Sequence, residues 1–248
     1  MEFIGIIPAR YASTRFPGKP LADIGGKPMI QRVYEQAQKA FSIVYVATDD
    51  ERIQECVTNF GGRVVMTSVD ARSGTDRCAE AITKIQLDLE KNIEIVVNIQ
   101  GDEPFVAPEQ LQEIIHCFDS PEVQIATLAK AVDREDELHD PNLVKIVFSR
   151  EKEALYFSRA PIPYIRDKQA NAHSSSLFYK HVGLYAYRTE TLKQLARMQA
   201  SPLELAESLE QLRWLENGYK IKVYVTQHLT ISVDCPEDIE TLRQKRFF

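Results

Sequence analysis

The sequence predicts an α/β fold with a mostly parallel sheet, and three observations carry that prediction. Runs rich in β-branched residues alternate with helical stretches through the first half of the chain. The helical stretches open on proline or capping signals at Pro28, Asp49-Asp50, Ser73 and Pro108. The loops that leave strand C-termini hold basic, acidic and small residues, which is where ligands of such sheets sit.

Phe3 to Ile7 is an apolar strand, broken at Pro8. A helix follows Lys27-Pro28, with Pro28 in its first turn and Ile30, Val33, Ala37 and Phe41 at helical spacing. Ile43 to Thr48 is a β-branched run and reads as a buried strand. Asp49-Asp50 caps a helix to about Phe60, which Gly61-Gly62 ends. Val64 to Met66 is a short strand, and Ser73 to Arg77 opens a helix reaching about Leu89. Ile93 to Ile99 is the most apolar strand and ends at Gln100-Gly101-Asp102. Pro108 starts a helix with Leu111, Ile114, Ile115 and Phe118 on one face.

The second half changes character. Ile125 to Ala131, Val144 to Phe148, Ala154 to Ser158 and His181 to Tyr187 read as strands with fewer helices between them. Tyr164 to Lys180 is polar and irregular and reads as a mobile loop. Leu205, Leu209 and Leu212 mark one helix face, Lys220 to Thr226 a strand, and Pro236 a terminal helix.

Composition narrows the function. With 248 residues, 44% apolar and 27% charged, the chain has an ordinary globular make-up. A net charge of −6 and a pI near 5.5 argue against bulk nucleic-acid binding. Cys56, Cys78, Cys117 and Cys235 fit neither a zinc site nor a disulfide framework and point to a reducing compartment. No apolar run spans a membrane, and no signal-peptide pattern opens the chain, so the cytoplasm is expected.

Inside this acidic protein, the stretch from Ile6 to Pro28 is basic and small in side chain. It carries Arg10, Arg15 and Lys19 beside Ala9, Ala12, Ser13 and Gly18. Small residues let backbone N–H groups approach phosphate oxygens, and the cations neutralise them. The P-loop and dinucleotide fingerprints are both missing. A solvated surface loop is the competing reading. The loops after Ile7, after Met66 and after Ile99 all leave strand C-termini, so they converge on one crevice, which favours a bound phosphate.

Asp102 and Asp234 end strands, and two such carboxylates hold Mg²⁺ when triphosphate oxygens complete the octahedron. The alternatives are a turn carboxylate at Asp102 and a helix N-cap at Asp234. Ser73, Gly74 and Thr75 leave room beside Arg77 for a flat base or a sugar, and they equally suit a helix start with a solvated Arg77. Arg159, His181, Tyr185, Glu210 and Gln211 make a set suited to a polyhydroxylated acid, although a lone strand histidine is more often a core residue.

Several longer stretches carry a resemblance. They are IIPARYASTRFPGKPL (6–21), GKPMIQRV (26–33), VATDD (46–50), SGTDR (73–77), VNIQGDEPF (97–105), ALYFSRAPIP (154–163), KHVGLYAYR (180–188), SPLELAESLEQLRWLENG (201–218) and VDCPEDI (233–239). In this order and over nearly the whole chain, they resemble the 3-deoxy-manno-octulosonate (KDO) cytidylyltransferases. The chain departs from that pattern at Gly5, Ala186 and Cys235, none of which is a site residue.

The resemblance implies a nucleotide-diphospho-sugar transferase-like three-layer sandwich with a mostly parallel central sheet and a smaller sugar-binding and dimerisation lobe. It implies a single domain over 1–248, with 1–120 mainly binding CTP and 121–248 mainly binding the sugar acid and dimerising. It implies Mg²⁺, a homodimer, and CMP transfer from CTP to KDO with release of pyrophosphate, a step toward lipopolysaccharide. Arg10, Ser13 and Lys19 would hold the triphosphate, and Pro8, Ala9, Arg77 and Gln100 the cytosine and ribose beside Ser73 and Gly74. Asp102 and Asp234 would hold the metal, with Arg10 and Lys19 sharing the catalytic work. Arg159, His181, Tyr185, Glu210 and Gln211 would bind the sugar acid. A related acid (8-amino-KDO or sialic acid) and a non-catalytic nucleotide-binding role are the competing expectations.

Overall fold

A computed structural model of the chain describes residues 1–12, 16–166, 177–228, 231–245 and 247–248. Ser13, Arg15 and the 167–176 part of the expected polar loop lie outside the described residues. The elements in chain order are β1 (Phe3–Ala9), α1 (Met29–Ala40), β2 (Val44–Thr48), α2 (Glu51–Asn59), β3 (Val64–Met66), α3 (Gly74–Leu89), β4 (Ile95–Asn98) and α4 (Pro108–His116). There follow β5 (Ile125–Ala131), α5 (Glu135–His139), β6 (Lys145–Phe148), β7 (Ala154–Ser158), β8 (Tyr179–Arg188) and α6 (Thr189–Leu195). The last are α7 (Pro202–Glu207), α8 (Glu210–Glu216), β9 (Ile221–Val225) and α9 (Pro236–Gln244). This is the expected α/β fold. It divides into two compact units, one made of Met1–Gln112, Ala186–Ala196 and Leu229–Phe248, the other of Glu113–Tyr185 and Arg197–His228.

In the first unit β3, β2, β1 and β4 lie side by side in that order, all parallel. Ile4, Ile6, Ile7, Val46, Val96 and Val97 are fully buried, as strands covered on both faces require. The caps follow the sequence signals. Asp50 accepts from the Arg52 N–H at the start of α2, and Ser73 accepts from the Asp76 N–H at the start of α3.

The break expected at Pro8 does not occur, because β1 runs on to Ala9. Gly5 donates to Ile43 O on the β2 side, and Ile6 O accepts from Ile99 N–H on the β4 side. Two residues beyond Ile6, Pro8 faces the β4 side again. The β4 register has already ended at Ile6 and Asn98. The missing proline N–H therefore removes no ladder bond.

The unit is closed by the last stretch of chain. Val233 and Leu242 are buried with Ile24 and Met29, and Phe16, Phe105, Ile231 and Phe248 pack against them. Gly25 makes this approach possible. Its φ is +62°, and a Cβ there would lie 2.5 Å from the Phe248 ring.

The second unit is mixed. β5 and β9 pair in parallel, while β6 is antiparallel to both β7 and β8. The single leucine-faced helix expected over 205–212 is instead two short helices, α7 and α8. Ser208 stops α7 with φ 53° and ψ 49°, a left-handed cap that sequence seldom announces for serine. As a result Leu205 is 69% exposed while Leu209 and Leu212 are buried.

Candidate active site

A cavity of about 290 Å³ opens in the first unit. Its walls are the C-terminal exits of three strands of the sheet, β1, β4 and β3. Pro8, Ala9 and Arg10 come from β1, and Gln100, Gly101 and Asp102 follow β4. Ala71 to Gly74 follow β3, and Arg77 stands on the first turn of α3. Lys19, Pro20 and Asp234 complete the lining. Of the nucleotide-side residues named from sequence, only Ser13 is outside the described residues. Gly101 is needed for close approach, since a Cβ there would sit 3.0 Å from Pro8 O.

Lys19 is the hub of this wall. Gly18, at φ 72° and ψ 13°, turns the chain so that Lys19 starts a short 3-10 turn. Its ammonium donates to Asp102 Oδ2 at 2.7 Å and to Val233 O at 2.9 Å, and stands 3.7 Å from Asp234 Oδ1. The carboxylates named from sequence thus converge on one cation. The N-cap alternative for Asp234 does not hold, because Cys235 is the N-cap of α9 and the Asp238 carboxylate accepts from Asp234 and Cys235 N–H. Beside Asp102, burial pushes the Glu103 carboxyl up to about 8, with the Asp102 charge adding to the effect. Glu103 is therefore neutral near pH 7 and adds no third negative charge.

Arg77 is not solvated. Its guanidinium, 5% exposed, donates to Thr67 Oγ1 at 2.6 Å and to Asp49 Oδ2 at 3.2 Å. This pairing holds it rigid at the cavity wall. Arg72 and Thr67 were not singled out in the sequence, where only the loop after Met66 marked them, and Asp49 was read there only as part of a helix cap.

The donor set fits a hard divalent cation. Two carboxylates already share one positive partner, and among the described residues no group of three or more acidic, histidine or cysteine side chains forms a metal cage. Mg²⁺ characteristically takes one or two carboxylates and completes its shell with substrate phosphates and water.

The second unit gathers the other named residues. His181 and Tyr185 share β8 with ring centroids 5.2 Å apart, and Tyr185 meets Trp214 edge-on at 5.1 Å. Burial and the Glu210 carboxylate raise the Tyr185 phenol well above its ordinary value. Glu210 and Gln211 open α8, and Gln211 is buried. Burial drives the His181 imidazole down to about 3, so it is neutral at working pH.

Arg159 follows β7. Its Nε donates to Glu207 O at 2.7 Å and its two terminal nitrogens to Pro141 O and Ser208 O. The Glu207 carboxylate is taken by the Ser158 hydroxyl and the Arg159 N–H. Neutral carbonyls therefore aim the guanidinium while leaving its charge for an anion. Thr127, Phe157 and Trp214 also belong to this cluster and were not singled out. A threonine inside a strand is too ordinary to stand out by itself.

Known proteins resemble this chain over nearly its whole length. The sequence profile of the family described as cytidylyltransferase matches residues 4–221. The 3-deoxy-manno-octulosonate cytidylyltransferase of Parabacteroides distasonis is 59% identical over 97% of this chain and 96% of that protein. The enzyme of the same name from Bacteroides thetaiotaomicron is 56% identical over 97% and 96%. Among solved structures, a CMP:2-keto-3-deoxy-manno-octonic acid synthetase complexed with CTP is 42% identical, covers 99% of this chain and 98% of its own, and superposes with a TM-score of 0.89.

Proposed function

Because the chain belongs to the 3-deoxy-manno-octulosonate cytidylyltransferase family, we propose a division of labour among its residues for that reaction. The enzyme transfers CMP from CTP to the anomeric hydroxyl of KDO and releases pyrophosphate, activating KDO for lipopolysaccharide synthesis. The observation that carries the division is the Lys19 ammonium held by Asp102, Val233 O and Asp234 in the first-unit cavity.

The hydroxyl oxygen forms a bond to the α-phosphorus as the α–β bridging P–O bond breaks, in line. No covalent intermediate on the protein is needed. Ala9 and Gln100 flank the cytidine, with Ser73 and Gly74 leaving space and the Arg77 guanidinium fixed behind them. Arg10, at the exposed rim, and Lys19 hold the triphosphate and stabilise the charge that develops on pyrophosphate. Asp102 and Asp234 would hold Mg²⁺, which when bound supplies charge neutralisation and lowers the pKa of a nearby hydroxyl. Arg159 binds the carboxylate of the sugar acid, and His181, Tyr185, Glu210 and Gln211 its hydroxyls.

A homodimer fits the apolar side chains that the second unit exposes, among them Leu155 and Tyr164. No helix among the described residues is long and apolar enough to cross a membrane, and a CTP-consuming step suits the cytoplasm.

The test is pyrophosphate release from CTP and KDO with Mg²⁺. Turnover that requires all three supports the assignment. Tight CTP binding with no release would show a nucleotide-binding protein instead.

A further inference from the structure

Thr127 lies on β5 in the second unit, fully buried. Its hydroxyl has one hydrogen to donate and two lone pairs with which to accept. Two carbonyl oxygens face that hydroxyl, Leu184 O at 2.8 Å and Val182 O at 3.3 Å. A carbonyl has no hydrogen to give, and two oxygens 2.8 Å apart with none between them would repel, so the hydroxyl hydrogen goes to Leu184 O. The His181 ring nitrogen Nε2 is 2.9 Å from the same oxygen.

With its hydrogen committed, Thr127 presents lone pairs to that ring. A bare Nε2 would set lone pair against lone pair, so Nε2 carries the ring hydrogen and donates. A neutral imidazole has one N–H, which leaves Nδ1 bare. Burial keeps the ring neutral at working pH. Two aromatic neighbours fix its plane. Phe157 meets it edge-on at 5.1 Å and 83°, and Tyr185 lies at 5.2 Å. Among the described residues, no hydrogen bond reaches Nδ1.

We propose that Thr127 is a positioning residue that fixes His181 in its Nε2–H tautomer, so that Nδ1 meets the sugar acid as a hydrogen-bond acceptor and selects a hydroxyl donor. This rests on the placing of His181 in the sugar-acid site under Proposed function. The opposite tautomer would present N–H outward and favour an ether or carbonyl oxygen. Thr127 touches no substrate in this scheme. It acts through the ring it holds.

The tautomer is read without substrate, on full-length protein carrying nitrogen-15 histidine, by two-bond proton–nitrogen correlation NMR. The His181 signals are those that vanish in His181→Gln. Wild type and Thr127→Ser should both show a pyrrole-type Nε2 and a pyridine-type Nδ1. Thr127→Val keeps the shape without the hydroxyl and should move the ring toward the Nδ1–H form. Loss of one such hydrogen bond should raise the KM for KDO about tenfold, with the KM for CTP unchanged and Thr127→Ser restoring it.

A bare Nε2 in wild type overturns the proposal, even if Thr127→Val fails to fold. So does a folded Thr127→Val protein that keeps the wild-type tautomer. An unchanged KM for KDO despite a switched tautomer overturns the recognition role. If wild type releases no pyrophosphate from CTP and KDO, the functional reading fails, and the NMR readout still decides what Thr127 does to the ring.

Discussion

Lys19 shows how much one side chain is asked to do. Its ammonium has three hydrogens, and Asp102, Val233 O and Asp234 surround it. Lys19→Ala should lower kcat by about 2–4 kcal/mol of transition-state stabilisation, read as pyrophosphate release, with the circular dichroism spectrum retained. Wild-type turnover in that variant would remove Lys19 from the chemistry. Asp102→Asn keeps the shape and removes the charge. It should abolish Mg²⁺-dependent release without lowering the melting temperature by more than a few degrees, whereas an unfolded variant would make Asp102 a turn residue first. His181 gives a pH signature. The folded ring titrates near 3, the unfolded ring near 6.5. Between those values the unfolded chain binds the extra proton, so stability falls as pH drops from 6.5 toward 3. His181→Gln should flatten that part of the curve, and parallel urea midpoints for the two proteins would refute it. At this scale the sequence displayed Lys19, Asp102 and Asp234 as polar residues at loop and strand ends. It could not display that they meet, because Lys19 and Val233 are 214 positions apart. Thr127 was hidden for a different reason, since only its neighbours make it unlike other strand threonines.

Among the elements, β1 to β4 were legible because β-branched runs, cap residues and glycines all marked the same boundaries. The α7–α8 break was not, because Ser208 takes a left-handed conformation more usual for glycine or asparagine. The Pro8 error has a similar lesson. Proline forbids a donor, and whether that matters depends on which neighbour its side of the strand faces. The α9 segment matters most for the site, since Val233 and Leu242 anchor the stretch that presents Asp234. Leu242→Ala should cost about 2–5 kcal/mol of stability by leaving a cavity. It should also lower kcat in the surviving folded fraction, as a denaturation curve and an assay on the same sample would show. Unchanged turnover per folded molecule would mean that Asp234 is held in place without the Leu242 packing, by contacts such as those to Lys19 and Asp238. Gly25→Ala tests the same packing from the other side. A positive φ and a Cβ driven into Phe248 should together destabilise by about 1–3 kcal/mol.

For the whole molecule, the second unit exposes Leu155 at 61%, Tyr164 at 86% and Leu205 at 69%. A homodimer that covers some of them should appear in sedimentation equilibrium at about twice the 28.3 kDa chain mass. A single species at the chain mass across the working concentration range would reject the dimer. The first unit is assembled from three separate stretches of chain, and the wall around Lys19 draws on the first and the last. That arrangement has a consequence for synthesis. A ribosome delivers Lys19 and Asp102 early and Asp234 long after them. A chain that stalls or is cut before residue 234 lacks one of the two carboxylates around Lys19, together with the Leu242 and Phe248 packing that closes the first unit. Copies cut there are therefore expected neither to close the first unit nor to turn CTP over, and turnover begins only once the stretch from Val233 to Leu242 is in place.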